Sequence, residues 1–394
     1  MVYNSSVNNT NSTGRPERPR VGDRGMSTDP AYWHRAEAQV NGMVMINIPD
    51  TIKNIDHAEL CLEMWGGHPG TANKRLQING GKVYFIPDKP TANGNCEYHY
   101  PIIPVEFTDL VKGNNAIQFG CDRGTSFWGH YIIDQIALRC YLRENEDILG
   151  SGGLENFTAV PVTRSKILSD HVDIGLNFPE KFAGDIAAVH FFARYAGYDN
   201  NGSGKHDGWK GYTHDRIFKG HPGSDNTEPF SVVWNTEMIP DQNGPMALRA
   251  LIEFRNGLFC WSEVLDGLTF PAKREQVQIF YCPVLPEPFW SRNNNLVETA
   301  FEIPESVSDI EKAELHVRIW DGGEGSIRDP FTLNDLPYSI TTGKAIHDLV
   351  YTISKVDPVN LKKGVNMIRL ISDTDHHGIE VCWPGPALVI KYRK

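Results

Sequence analysis

The stretch I-P-D-T-I-K-N-I-D-H-A-E-L-C-L-E-M-W-G-G, residues 48–67, returns as I-P-E-S-V-S-D-I-E-K-A-E-L-H-V-R-I-W-D-G at residues 303–322. A constant shift of 255 pairs Ile48/Ile303, Pro49/Pro304, Ala58/Ala313, Glu59/Glu314, Leu60/Leu315, Trp65/Trp320 and Asn79/Asn334 without a gap. The match resumes at a shift of 251, where L-V-K-G-N-N-A-I-Q-F from Leu110 pairs with L-K-K-G-V-N-M-I-R-L from Leu361. The chain therefore carries two copies of one domain, with a third unit between them. Two copies are too few for a solenoid, in which stacked repeats share one core.

Within each copy the pattern has period two. Val44, Ile46 and Ile48 alternate with polar neighbours, as do Leu60, Leu62 and Met64. The runs are short and bounded by Gly, Asn, Asp or Pro, which predicts half-buried strands rather than helices. The fold class read from this is all-β, with a β-sandwich in each unit. The expected division is a polar extension over 1–30, a first sandwich over 31–145, a linker over 146–166, a middle unit over 167–285 and a second sandwich over 290–394.

A net charge of −11 with no basic run argues against a nucleic-acid surface. No apolar stretch approaches the roughly 20 residues of a membrane span. The start, M-V-Y-N-S-S, has no apolar signal core, so a targeting peptide is expected to be absent or already removed. Residues 1–30 hold almost no large apolar groups and cannot order alone. They are expected to dock, either along their own domain or on an identical subunit as an added strand, the second of which would build filaments.

The repeated domain, through A-E-L-x-x-x-x-W and the K-G-x-N turn, resembles galactose-binding-like jelly rolls that accompany glycan-active enzymes. The middle unit resembles a bacterial immunoglobulin-like domain. Its carrying residues are V-H-F-F-A-R-Y at Val189, P-F-S-V-V-W-N-T at Pro229, A-L-R-A-L-I-E-F at Ala247 and N-G-L-F-C-W-S-E at Asn256. It departs from that family by an insertion over 197–226. The resemblances imply a jelly roll, Ig-like, jelly roll order and contact with glycans, and the Ig-like unit implies no catalysis by itself.

Cysteines fall as Cys61, Cys96, Cys121 and Cys140 in the first copy, Cys260 and Cys282 in the middle unit, and Cys382 in the second copy. No C-x-x-C pair suggests zinc. Even counts in the first two units fit disulfides, and buried thiols fit as well. In a jelly roll the first and last strands lie close, so the expected pairs are Cys61–Cys140 and Cys96–Cys121, with Cys260–Cys282 in the Ig-like unit. The second copy has His316 and Lys391 where the first has Cys61 and Cys140, a joint loss that fits pairing.

Several loops hold chemistry-bearing side chains. D-N-N-G-S-G-K-H-D places Asp199, Asn201, Ser203 and Asp207 at the oxygen-ligand spacing of an EF-hand-like calcium loop, although Lys210 stands where the bidentate Glu would be. A plain Asn/Gly turn is the alternative. In the second copy His376, His377 and Glu380 are candidates for acid/base work. The matching place in the first copy holds Phe127, Trp128 and His130, expected to contact a glycan through aromatic faces. N-x-S/T sequons at Asn4, Asn8, Asn11, Asn156 and Asn201 would be glycosylated in a secretory pathway. Trp65 and Trp320, placed by period two, are expected to be core residues rather than ligand platforms. The functional expectation is a non-catalytic extracellular or cell-surface structural or adhesive protein that contacts glycans. The alternative is a polysaccharide hydrolase or lyase with its site between the two sandwiches.

Overall fold

The computed structural model describes residues 1–6, 20–22, 25–27, 44–67, 71–88, 97–122, 130–214, 216–304, 306–322, 325–340, 348–375 and 378–393. The chain is all-β, and the α-helix Asp147–Gly152 is the single one among the described residues. In the first copy one sheet runs in the order Val44–Ile48, Gly113–Asp122, Ala72–Ile78, Val83–Phe85. It faces the strand Ile55–Trp65, which pairs with His130–Leu142 on one side and Ile102–Val105 on the other. The second copy repeats this strand for strand: Val297–Ile303, Gly364–Leu370, Phe331–Leu333 and Leu336–Pro337 face Ile310–Asp321. The alternation explains both sandwiches, because Leu60, Leu62 and Met64 in one and Leu315, Val317 and Ile319 in the other point inward and are buried.

The residues that the two copies share also close the same turn. Asn115 is fully buried; its Oδ1 accepts from Val111 N at 2.8 Å, and its Nδ2 donates to Val111 O at 2.8 Å and Gly113 O at 3.1 Å. Asn366 makes the same bonds to Lys362 and Gly364. Asn79 and Asn334, both at φ 51°, reach across to Asn115 and Asn366 at 2.9 and 2.8 Å. Gly113 and Gly364 sit at φ 83° and 85°, which a side chain would resist. Asn115→Ala and Asn366→Ala are each expected to cost about 2–4 kcal/mol, since several bonds go and a buried amide partner is left behind. Denaturant unfolding of the two variants should show similar losses.

Strands also pass between the units. Val2–Ser6 pairs antiparallel with His130–Leu142, and its Val2 and Tyr3 pair with Leu258–Trp261 of the middle unit. The start of the polar extension therefore orders within its own chain. Its backbone supplies a strand between two sheet edges, and Val2 is buried, so ordering there does not require many apolar groups. Val277–Tyr281, expected in the middle unit, pairs instead with Ala387–Tyr392 of the second copy. The middle unit is itself a sandwich. Val160–Thr163, His171–Asn177 and Ser231–Asn235 form one sheet. They cover the pair Ile186–Arg194 and Met246–Phe254 across a core that includes Ile174, Val189, Phe191, Leu248 and Ile252.

The expected disulfides are not formed: Cys61, Cys121, Cys140, Cys260, Cys282 and Cys382 are free thiols, and Cys96 lies outside the described residues. The register gives the reason. Cys140 lies opposite Ala58 and Cys61 opposite Ala137, an offset of three residues that puts the two sulfurs on opposite faces of the sheet. Cys260 packs against the first core and Cys282 belongs to the second. Burial pushes the thiols of Cys61 and Cys140 up to about 11 and about 12. Iodoacetamide without reductant should label all six described cysteines in denaturant and label the native protein slowly. Peptide mapping that finds any expected pair linked would contradict this.

Candidate functional site

On Ile55–Trp65 the inward residues are Leu60, Leu62 and Met64, so Glu59, Cys61, Glu63 and Trp65 lie on the outer face. On Ile310–Asp321 the same parity puts Glu314, His316, Arg318 and Trp320 outside. Trp65 and Trp320 are each 2% exposed, as expected for burial, but they are not in either sandwich core. They stack on each other at 5.5 Å, with Tyr98 on Trp320 at 5.9 Å, so the copies meet outer face to outer face. Trp65 Nε1 donates to Glu380 Oε2 at 3.0 Å. Glu380 is thus a buried link between copies. The space expected to hold a site between the two sandwiches is filled here by rings.

The insertion of the middle unit is wedged beside this stack. Glu63 and Arg318 are equivalent positions in the repeat, 255 residues apart, and both are covered by the insertion. Arg318 is 0% exposed; Nη1 donates to Trp383 O at 3.1 Å and Nη2 to Tyr98 O at 3.2 Å. A Cβ on Gly202 of the insertion would collide with this guanidinium, and Gly202 has φ 59°. Glu63 is 2% exposed; Thr213 Oγ1 of the hairpin Tyr212–Lys219 donates to its Oε2 at 2.7 Å. His214 lies 3.7 Å from Glu63 Oε1 and 3.1 Å from Asp348 Oδ1 of the second copy.

The Tyr98 hydroxyl is 2.8 Å from Glu63 Oε1 and 2.5 Å from Asp134 Oδ2. A phenol carries one proton, so it donates fully to only one of these carboxyls at a time. Burial, helped by the charge of Asp134, raises the Glu63 pKa against the bonds from His214, Thr213 and Tyr98 that lower it. Of the two, Glu63 is the carboxyl whose affinity for a proton burial raises.

Glu63 forms part of the wall of a pocket of about 180 Å³ between the outer face of the first copy and the hairpin. Ala137, Arg139, Tyr100, Thr213, Arg216, Phe218 and Glu253 complete much of the lining. In the second copy the equivalents of Cys61 and Tyr100 are His316 and Tyr351, and Tyr198 of the insertion fills the space between them. Its ring lies 5.4 Å from each, parallel to Tyr351 within 4°. A six-membered ring thus occupies the second copy's version of a cleft that stays open in the first.

The oxygens read as calcium ligands make hydrogen bonds within the protein. Asp199 Oδ1 accepts from Ser203 N at 2.9 Å and Ser203 Oγ at 3.1 Å, and Oδ2 accepts from Gly204 N at 2.7 Å and Trp383 Nε1 at 3.1 Å. Asn201 Oδ1 accepts from Ser203 N, and Asp207 is exposed. The cation in the loop is Lys210, 2% exposed, whose Nζ donates to His206 O at 2.7 Å. Burial pushes its pKa down to about 8. Among the described residues no group of three His, Cys, Asp or Glu is placed to hold a metal.

Phe127, Trp128, His376, His377, Asn8 and Asn11 lie outside the described residues, and of His130 only the backbone is described, at the start of its strand. Asn4 and Asn156 are exposed, whereas Asn201 Nδ2, the atom a glycan would need, donates to Trp209 O at 2.9 Å. No helix among the described residues is long and apolar enough to cross a membrane.

No family model matches the chain, and no curated protein matches it. Among solved structures it is similar to a β-porphyranase of glycoside hydrolase family 86 from the human gut bacterium Bacteroides plebeius, at 12% identity and TM-score 0.23, covering 57% of this chain and 35% of that one. It is similar to the Endo-D glycoside hydrolase domain of Streptococcus pneumoniae at 8% identity and TM-score 0.26, covering 57% and 30%. A bacterial ice-binding adhesin matches at 9% identity and TM-score 0.17, covering 85% and 92%. Likeness at these TM-scores is too slight to assign a function.

Proposed function

We propose that this chain is a polysaccharide-binding protein, built as two jelly rolls around an Ig-like unit, and that it takes a pyranose ring in the pocket beside Glu63. The observation that carries this is the asymmetry of the repeat. The cleft that Tyr198 fills in the second copy is open in the first and lined by Tyr100, Phe218, arginines and carboxyls. A flat-faced ring with polar edges suits a cleft of aromatic faces and a few placed polar groups. This reading supports an extracellular or cell-surface location, where such polymers are met. Affinity electrophoresis against a panel of polysaccharides tests it. At least one should retard the protein, and Ala137→Phe, which fills the pocket as Tyr198 fills its counterpart, should abolish the retardation. Retardation unchanged by that substitution would place binding elsewhere.

A second reading, hydrolysis, is favoured by one observation: the pocket holds a buried carboxyl, Glu63, whose pKa burial raises, and a second, exposed carboxyl, Glu253. Glycoside hydrolysis uses a pair of carboxyls, one to protonate the leaving oxygen and one to act on the opposite side. Glu63 would give its proton to the leaving glycosidic oxygen, and Glu253 would take one from the attacking water. New reducing ends released by the wild type and lost in both Glu63→Gln and Glu253→Gln would establish it. Binding without release would leave the chain non-catalytic.

A further inference from the structure

The outer face of the middle unit's sheet is not the polar surface that a free-standing sandwich presents. His190, Phe192 and Arg194 of one strand lie on it beside Arg249, Leu251 and Glu253 of the next, because Val189, Phe191 and Ala193 and Leu248, Ala250 and Ile252 take the core side. Trp261 and the insertion's Trp209 stand over this face. The Arg249 guanidinium carbon lies 3.9 Å from the Trp261 ring centroid and 4.3 Å from that of Trp209. The rings continue from Trp261 to Phe192 at 5.3 Å and from Phe192 to Phe218 at 5.3 Å. Phe218 is a wall of the sugar pocket.

Stacking satisfies only the two faces of a guanidinium. Its N–H groups all lie in its plane and need acceptors there. Arg249 has no hydrogen bond and no carboxylate within ion-pair distance among the described residues, and its Nε is buried without an acceptor. The carboxylates nearby are already engaged: Asp266 is 3.3 Å from Arg194 and Glu253 is 3.5 Å from His190. Burial and the like charge of Arg194 lower the Arg249 pKa to about 10. Arg139, Arg216, Arg249 and Arg194 run along pocket and stack, interleaved with Glu63, Glu253 and Asp266.

Resting on the sugar pocket proposed above, we propose that the Trp209–Arg249–Trp261 stack is the anion-recognising subsite of the same polysaccharide track, so that the ligand is an acidic glycan. Arg249 and Glu253 share one face of one strand, four residues and thus roughly 13 Å apart. That is beyond a single ring in the pocket and within reach of the next sugars of a chain. The planar fork reads a carboxylate or a sulfate through two parallel bonds, and the tryptophan edges flank the sugar that bears it.

Binding of the full chain to polygalacturonate, a sulfated galactan and neutral dextran and agarose, followed by calorimetry at low and high salt, tests this. One of the acidic polymers should bind at least about tenfold tighter than the neutral ones at low salt and lose that margin as salt rises. The polymer preferred tells carboxylate from sulfate. Arg249→Gln should remove the margin, and Arg249→Lys, which keeps charge without the fork, should recover only part of it. Equal binding of neutral and acidic polymers by the wild type would overturn the acidic-glycan inference and leave the pocket reading standing. So would an unchanged margin in a folded Arg249→Gln protein. Failure to bind any of the polymers overturns both.

Discussion

Arg318→Met is expected to lower the unfolding free energy by about 3–5 kcal/mol, the range for removing one member of a buried charged network. The guanidinium joins three parts of the chain: it donates to Tyr98 O of the first copy and Trp383 O of the second, and it lies against Gly202 of the insertion. Methionine fills the volume but donates nothing, so two buried carbonyls lose their partners. The Asp199 carboxylate, whose field reaches Arg318, is left facing an apolar group. Because the second copy has its own core, separate from the core shared by the first copy and the middle unit, unfolding should also split into two transitions. Tryptophan fluorescence follows the separation directly, since Trp65 and Trp320 stack across the same junction. Arg318→Lys, which keeps the charge but cannot reach both carbonyls, should fall between. Wild-type stability in Arg318→Met would mean that the junction is held elsewhere.

The repeat made the sandwiches legible. Period two named the inward residues, and the shared Asn115/Asn366 and Gly113/Gly364 marked a turn that both copies close with the same bonds. The site was not legible in this way. Glu63 and Arg318 sit on outward positions of half-buried strands, where a charged residue reads as solvated. Their burial comes from where the insertion lands, and a 30-residue departure in a loop does not announce its docking face. One signal was present: within a gapless repeat, next to an identical tryptophan, the same outward position is Glu in one copy and Arg in the other. The oxygen spacing at Asp199–Asp207 was read for a divalent cation, but Lys210 brings a cation of its own into that loop. The disulfide expectation failed on strand register, which composition does not carry.

Glu63→Gln is expected to keep the fold and to change how stability depends on pH. The folded pKa of Glu63 is raised above its ordinary value of 4.5, chiefly by burial. The folded state therefore holds this proton more tightly than the unfolded chain. The resulting stability is fully present below the unfolded pKa and is lost as pH rises through the folded one. The wild type should therefore lose stability across that window. Glutamine imitates the protonated acid: its amide can donate to the Tyr98 oxygen while its carbonyl accepts from Thr213. The groups facing it, namely Asp134, Tyr98, Thr213, His214 and, through His214, Asp348, stay in place. The variant should then match the wild type near pH 4 and exceed it near neutrality, with a flatter curve between. Thermal melts at closely spaced pH values measure this. A Glu63→Gln protein less stable than wild type at neutral pH, with the wild-type slope intact, would show that Glu63 is ionised in the folded chain and would remove the proton donor from the pocket.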